Sequence, residues 1–317
     1  MDAVRIEALE HHYGARQALA GLDLTIAPGT LFALLGPNGG GKTTLFRILA
    51  TLLAPTRGRA SLFGHDVVRE PDAVRRLIGV VFQSPAVDRL LTVRENLEVQ
   101  GRLYGLSGRD LRREADALLA SLRLADRQGD RVGTLSGGLM RRVEIAKGLL
   151  HRPRLFLLDE PSTGLDPAAR QDLWDLLRDL RQRDGVTIVM TTHLMEEAEA
   201  CDQLAILSQG RLVACGTPRQ LKDEIGGDVI VLTTADAASL RADVERVAGT
   251  PARLVDGTLR LECARGHTLI PRLAEAFPGR FESINLGRPT LLDVFVRRTG
   301  LRFETGDETS RQAGGRP

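Results

Sequence analysis

Residues 36–44 read GPNGGGKTT, set between the apolar run TLFALL (30–35) and the segment LFRILATLL (45–53). A short apolar run closed by glycine predicts a strand buried on both faces. The apolar-rich segment after the loop predicts a helix. The nine residues fit the pattern G-x-x-x-x-G-K-[ST] in the strand–loop–helix setting that the pattern requires. There the glycines let backbone N–H groups turn inward around an anion, and the helix N-terminus adds a partial positive charge. Gly36, Pro37, Asn38, Gly39, Gly40 and Gly41 would make the cradle, with Lys42, Thr43 and Thr44 opening the helix. Lys42 would neutralise β- and γ-phosphate oxygens, and the Thr43 hydroxyl would face Mg²⁺. The background sharpens this reading. Of 43 Lys and Arg residues, only Lys42, Lys147 and Lys222 are lysine.

Outward from the loop, short apolar strands alternate with helical segments. Strand readings cover VRIEAL, GLDLTI, TLFALL, RGRASLFG, IGVVFQ, RLFLLDEP and TIVMTTH, and a closing hairpin turns at Gln209-Gly210. Continuous apolar strands between helices predict an α/β fold with a mixed, mainly parallel sheet covered on both faces. From about 88 to 135 the pattern becomes helical and charged, which predicts an inserted helical subdomain. Composition shifts near EIGGD (224–228), dividing the chain into a domain over 1–222 and a small α+β domain over 223–300. The order β-α-β-β-α-β in the latter suggests a ferredoxin-like unit. The polar, Gly-containing stretch 301–317 is expected to be a disordered tail.

Bulk properties narrow the function. The chain has 317 residues, 43% hydrophobic, with a net charge of +2, which gives no basic field for nucleic acid. Cys201, Cys215 and Cys263 form no CxxC pair, which suits isolated thiols in a reducing compartment. The sequence has no signal-type apolar region and no run of about 18 apolar residues, so any service to a membrane runs through a partner.

Other segments carry chemistry. The strand RLFLLDEP ends in Asp159 and Glu160. Buried charges need a cation or other partners. Asp159 could anchor Mg²⁺ and Glu160 could act as general base on water, or the pair could simply cap the strand. LSGG (135–138) heads a helix whose apolar residues include Val143, Ala146, Leu149 and Leu150. A serine and two glycines at a helix start make a second anion site. One chain thus carries two phosphate binders.

The ordered set resembles the nucleotide-binding subunits of ATP-binding cassette (ABC) transporters. It comprises the glycine loop, Gln83 of VFQ, LSGG, LLDEP, STGLD (162–166) and TTH (191–193), and the resemblance covers about 3–222. It implies ATP and Mg²⁺ as cofactors, with Mg²⁺ on Thr43, Gln83 and Asp159. It implies that Tyr13 stacks on adenine. Gln83 would also reach the attacking water, and His193 would bond the γ-phosphate and steady Glu160. Ser136, Gly137 and Gly138 would face the γ-phosphate held by a second copy or a paralogous ATPase, in a head-to-tail dimer. That pairing answers why one chain carries two binders. Asp166 would lie at the dimer interface, cap the helix starting near Pro167, or do both.

The resemblance further implies an integral membrane permease as partner, no nucleic-acid partner, and a place on the cytoplasmic face of a bacterial membrane. Residues 223–300, with GRPTLLDVFVRRTG near their end, resemble the extension of drug-resistance and nodulation-type exporter ATPases. That implies export of a small molecule, lipid or glycan, with the extension either stabilising a dimer or regulating it. The alternative class is a soluble cassette ATPase acting on ribosomes or DNA. Such proteins usually carry two cassettes or a long coiled-coil insertion, and this sequence has neither. Two departures stand out. Leu139 replaces the family's usual glutamine, and Gly40 stands where Ala or Ser is common.

Overall fold

The computed structural model describes residues 1–255 and 257–300. They form two compact units, one spanning Met1–Leu212 and one beginning at Val213.

In the first unit, β1 (Val4–Tyr13), β2 (Arg16–Ile26) and β3 (Leu31–Leu35) precede α1 (Lys42–Leu49), β4 (Arg57–Leu62) and β5 (His65–Asp66). There follow α2 (Pro71–Leu77), β6 (Ile78–Val81), α3 (Val93–Leu103), α4 (Gly108–Ser121) and α5 (Gly137–Leu149). The chain continues through β7 (Leu155–Asp159), α6 (Pro167–Asp184), β8 (Thr187–Thr192), α7 (Met195–Glu199) and β9 (Gln203–Ser208) to β10 (Arg211–Gly216), in which the first unit ends. One sheet has the order β2-β1-β4-β5, and the larger one β10-β9-β3-β8-β7-β6. Every residue of β3, β7 and β8 is buried, as their continuous apolar runs require. The core between the sheets packs Phe32 and Leu34 against Leu45, Phe46 and Ile48 of α1. The Gly36 loop therefore rests on a fully packed floor.

The expected helical insertion is present as α3 and α4, which pack on each other and on α5. Thr92 and Glu95 form a reciprocal capping box at the head of α3. The ends of the insertion are stitched together. Val93 N donates to Asp130 O at 3.1 Å and Val132 N to Leu91 O at 3.0 Å. The hairpin turn lies at Gln209 and Gly210, both with positive φ (50° and 74°). The short helix α2 has no counterpart in the periodicity reading, because seven residues hold too few apolar positions to show a period.

The second unit contains α8 (Pro218–Asp223), β11 (Asp228–Thr233), α9 (Ala237–Ala248), β12 (Ala252–Val255) and β13 (Thr258–Cys263). It ends with α10 (Gly266–Ala276), β14 (Ser283–Gly287) and α11 (Leu291–Thr299). Its sheet has the order β12-β13-β11-β14 with every neighbouring pair antiparallel. Ile230, Leu232, Leu259 and Leu261 pack on Leu240 and Val244 of α9 and on Leu269 and Leu273 of α10. Alternate sheet residues face the other way. There Arg260 meets Asp293 of α11 at 2.9 Å.

The division between the units falls ahead of the expected boundary at 222/223. The glycines of EIGGD mark a turn, with Gly226 and Gly227 at φ 71° and 69°, rather than a change of packing partner. Helix α8 already belongs with α11. Arg297 Nη1 donates to Glu224 O and Ile225 O, each at 3.2 Å. The reading of 301–317 as a disordered tail lies outside the described residues.

Asp293 both closes the Thr290 capping box of α11 and faces Arg260, with its side chain almost wholly buried. Asp293→Leu should destabilise the second unit by about 3 kcal/mol, because it strands a half-buried cation and undoes a cap. Hydrogen exchange of the β13 and α11 amides checks this. Unchanged protection would show the pair to be dispensable.

Candidate active site

Parallel pairing sets the site. Leu35 lies opposite Thr192 and Asp159 opposite Thr191, so β3, β8 and β7 end at one edge of the sheet. The Gly36 loop, Glu160 and His193 follow directly on those strand ends.

The loop is tight. Gly39 and Gly41 have φ of 80° and 105°, which L side chains rarely adopt. A Cβ on Gly36 would stand 2.3 Å from Leu207 O, and one on Gly41 2.8 Å from Ala18 O. Gly40 is also confined, with a Cβ meeting Leu207 O and Pro37 O at 3.0 Å. In this arrangement Gly40 avoids the crowding that the commoner Ala or Ser would bring. Lys42 opens α1 and is only 4% exposed. Its Nζ donates to Gly36 O at 2.6 Å and Pro37 O at 3.1 Å, closing the loop on itself. Burial lowers the Lys42 pKa, and the neighbouring Glu160 and Asp159 oppose that shift. Thr43 is exposed and Thr44 buried. Pro37, Asn38 and Gly39 form the outer rim of the loop.

The two carboxylates occupy different settings. Asp159 is buried, and Thr191 Oγ1 donates to its Oδ1 at 2.6 Å. Burial raises its pKa, against the pull of that hydrogen bond. The same Thr191 oxygen accepts from Glu160 N at 2.9 Å. Glu160 has φ 44°, a left-handed backbone that costs about 1–3 kcal/mol in a non-glycine residue and is typical of functional sites. Its Oε2 accepts from Gln83 Nε2 and from Thr163 Oγ1, both at 3.3 Å. His193 Nδ1 approaches its Oε1 at 3.2 Å, off the hydrogen-bonding axis, so this buried ring nitrogen is left without a bond. Gln83, Thr163 and His193 are thus assembled around the Glu160 carboxylate.

The remaining candidates lie elsewhere. Tyr13 ends β1, is 44% exposed, and meets His11 edge-on at 4.6 Å between ring centroids. Ser136 caps α5, its Oγ accepting from Leu139 N at 3.4 Å. The bond uses the Leu139 backbone, so the replaced glutamine side chain plays no part in it. A Cβ on Gly138 would stand 2.9 Å from the Ala169 Cβ, whereas one on Gly137 meets nothing within 4 Å. Packing within the chain explains the first glycine and not the second. Asp166 caps α6, accepting from Ala169 N at 2.9 Å. Among the described residues, no hydrogen bond or ion pair joins residues 136–138 or Asp166 to the loop 36–44.

Sequence reasoning missed Thr191, Thr163 and Arg141. Thr191 was visible as the first letter of TTH. Its bridge between Asp159 and Glu160 depends on parallel register, which one sequence does not reveal. Arg141 is buried and donates to Phe82 O at 2.8 Å, and no motif marks it.

The sequence profile described as ABC transporter matches residues 19–163. The chain is 43% identical over 316 residues to the daunorubicin resistance ATP-binding protein DrrA2 of Streptomyces coeruleorubidus, covering 95% of this chain and 96% of that one. It is 40% identical over 311 residues to the Nod factor export ATP-binding protein I of Paraburkholderia xenovorans, covering 95% and 98%. Among solved structures it resembles a dimeric ATP-binding cassette in a post-hydrolysis state bound to ADP and Pi. That match has a TM-score of 0.62 and 28% identity, covering 68% of this chain and 98% of that one.

The raised pKa of Asp159 carries a stability consequence. A carboxyl whose folded pKa exceeds its unfolded value favours folding fully at pH below the unfolded value, and loses that favour as pH rises through the folded value. Asp159→Asn, which keeps an acceptor for Thr191, should therefore raise the melting temperature of nucleotide-free protein at neutral pH. The gain should shrink as pH falls toward the ordinary aspartate range near about 4. Melting curves across that interval check it. A variant that melts lower at neutral pH would show that pairing with Lys42 outweighs burial.

Proposed function

The chain belongs to the ABC transporter family of ATP-binding subunits, and on that premise we propose that it hydrolyses ATP to power export through a separate membrane permease. ATP supplies the γ-phosphate, water attacks it, and ADP and phosphate leave. In this reading Glu160 takes the proton from the attacking water. The observation that carries the reading is the grouping of Gln83, Thr163 and His193 around Glu160, with Lys42 and Asp159 alongside. Gln83 and Thr163 hold one oxygen as donors, leaving the other toward His193. The Nδ1 of His193 is turned to Glu160, which leaves Nε2 for a γ-phosphate oxygen, and an ε-amine now bonded to carbonyls could turn to β and γ oxygens. Tyr13 offers an exposed ring face for adenine.

The donor set fits Mg²⁺. Asp159 is a buried carboxylate whose charge burial opposes, so a cation beside it relieves a cost already present. Thr43, Gln83 and Asp159 would hold the ion, which supplies positive charge to the β and γ oxygens when bound.

Gly137 supports a composite site. A glycine with open space around it at a helix start is suited to a phosphate arriving from outside the chain. We therefore read Ser136, Gly137, Gly138 and Asp166 as belonging to the nucleotide of a second copy or paralogue in a head-to-tail dimer. The dimeric cassette relative bound to ADP and Pi supports this.

We read the groove beside the Gln83 loop, lined by Leu52, Val80, Phe82, Ala86, Gln100 and Tyr104, as a docking place for the permease. No helix among the described residues is long and apolar enough to cross a membrane. We place the chain at the cytoplasmic face of a bacterial membrane, held there by that permease. The resistance and Nod factor export relatives favour a drug-like, lipid or glycan cargo. The second unit, read as ferredoxin-like from its strand order, would stabilise or regulate the dimer.

Glu160→Gln should lower steady ATP turnover by about 10²–10⁴-fold while ATP binding persists. Trapped with Mg-ATP and added to detergent-solubilised native membranes, it should retain a multi-span protein. Wild-type turnover would remove Glu160 as the base. Recovery of ribosomes or DNA complexes instead would overturn the transporter reading.

A further inference from the structure

A second concavity lies at the other end of the parallel strands. It is a cleft of about 670 Å³, walled by α4, the end of α6, the Phe63 turn between β4 and β5, and the segment that enters β7. Arg154, Val186 and Thr187 of its lining stand where β7 and β8 begin, whereas the Gly36 loop, Glu160 and His193 stand where strands end. The five residues of β7 separate the two edges by about 16 Å at the usual rise per residue. The volume lies within the span of small-molecule sites, roughly 300–1,000 Å³.

Two strained residues line this cleft. Phe63 and Arg152 have φ of 46° and 55°, in the left-handed region that bulky side chains rarely enter. Such strain gathers at active sites and ligand clamps, as it does at Glu160. Both side chains are engaged. Phe63 is buried, and the Arg154 guanidinium lies over its ring, 3.9 Å from the centroid. Arg152 Nε and Nη2 donate to the Glu114 carboxylate at 2.8 and 2.9 Å. Glu114 also faces Arg113 at 3.3 Å, so its negative charge is already answered twice.

Arg154 differs from Arg152. It is exposed, and among the described residues its guanidinium has no hydrogen-bond acceptor and no ion-pair partner. A planar guanidinium with its donors free suits a carboxylate. Leu118, Leu149, Leu180 and Val186 offer apolar wall to the remainder of a ligand. Glu114 and Asp184 also line the cleft, and two fixed carboxylates disfavour a ligand with several negative charges. We propose that this cleft binds an organic monoanion, an apolar body carrying one carboxylate. Arg154 pairs with the carboxylate, Phe63 holds the guanidinium in place, and the apolar body lies inward. The site is separate from that of the nucleotide, whose chain of phosphates would meet Glu114 and Asp184.

The test is calorimetric titration of the full-length protein with 2-naphthoate, a flat ring with one carboxylate, and with dodecanoate, an acyl chain with the same group. The control is 2-naphthamide, which keeps the ring and lacks the charge. 2-Naphthoate should bind about tenfold or more tightly than the amide, as a charge-assisted pair predicts. Arg154→Gln should remove that difference and leave amide binding unchanged. Ala117 is exposed on α4 and lines the cleft, so Ala117→Trp should fill it and abolish binding of all three probes. Saturating Mg-ATP should leave 2-naphthoate affinity within about twofold, since the two sites lie at opposite edges of the sheet.

Tighter 2-naphthoate would make the ligand an aromatic acid, tighter dodecanoate an acyl one, and either result supports the site. Equal affinity for acid and amide would overturn the monoanion. Binding undiminished in Ala117→Trp, or displaced by Mg-ATP, would put the probes elsewhere and overturn the cleft. Failure of the unaltered protein to bind either acid would overturn the proposal outright. If Ala117→Trp does not fold, Arg154→Glu at the exposed position carries the same readout. It should abolish binding of both acids, and retained binding there overturns the proposal.

Discussion

The site depends on one constraint, the parallel register of β3, β8 and β7. Because Leu35 faces Thr192 and Asp159 faces Thr191, the loop lysine, the carboxylates and the histidine all emerge at one edge. Parallel strands need covered faces, and that cover is the packed core between the sheets. A slip by one residue would turn the Thr191 hydroxyl away from Asp159. The Thr191 hydroxyl is the local expression of the register, since one oxygen joins the ends of two strands.

Much of this was legible in the residues. The loop 36–44, the buried strands and the inserted helices follow from period, turn chemistry and capping, all local properties. Lys42, Glu160, Gln83 and His193 were each marked by a motif. What the motifs could not give is how the last three meet, because that requires tertiary register. Arg141 and Glu144 were hidden for a different reason. A charged pair three residues apart on a helix reads as a solvated face, and only burial against the Gln83 loop distinguishes it. The unit boundary was misplaced because glycines announce a turn, whereas a boundary is set by which core a helix joins.

The site is also held under electrostatic tension. Lys42 and Asp159 are both buried enough that desolvation opposes their charges, and Lys42 satisfies itself on its own loop's carbonyls. Such a site is built to receive compensating charge from outside. Glu160 adds backbone strain in the same place. These costs are borne by the surrounding sheet, whose strands β3 and β7 carry no polar residue until they reach the site.

The open space beside Gly137 has a consequence for mixtures of copies. In a head-to-tail pair, each nucleotide draws its loop from one chain and its serine turn from the other. A copy damaged only at Lys42 and a copy damaged only at Ser136 would concentrate both injuries in one nucleotide site. The other site would be built wholly from sound parts. Two inactive genes could thus complement each other in one cell, while two copies of either alone could not. The unit of inheritance for this activity would then be the interface rather than the chain.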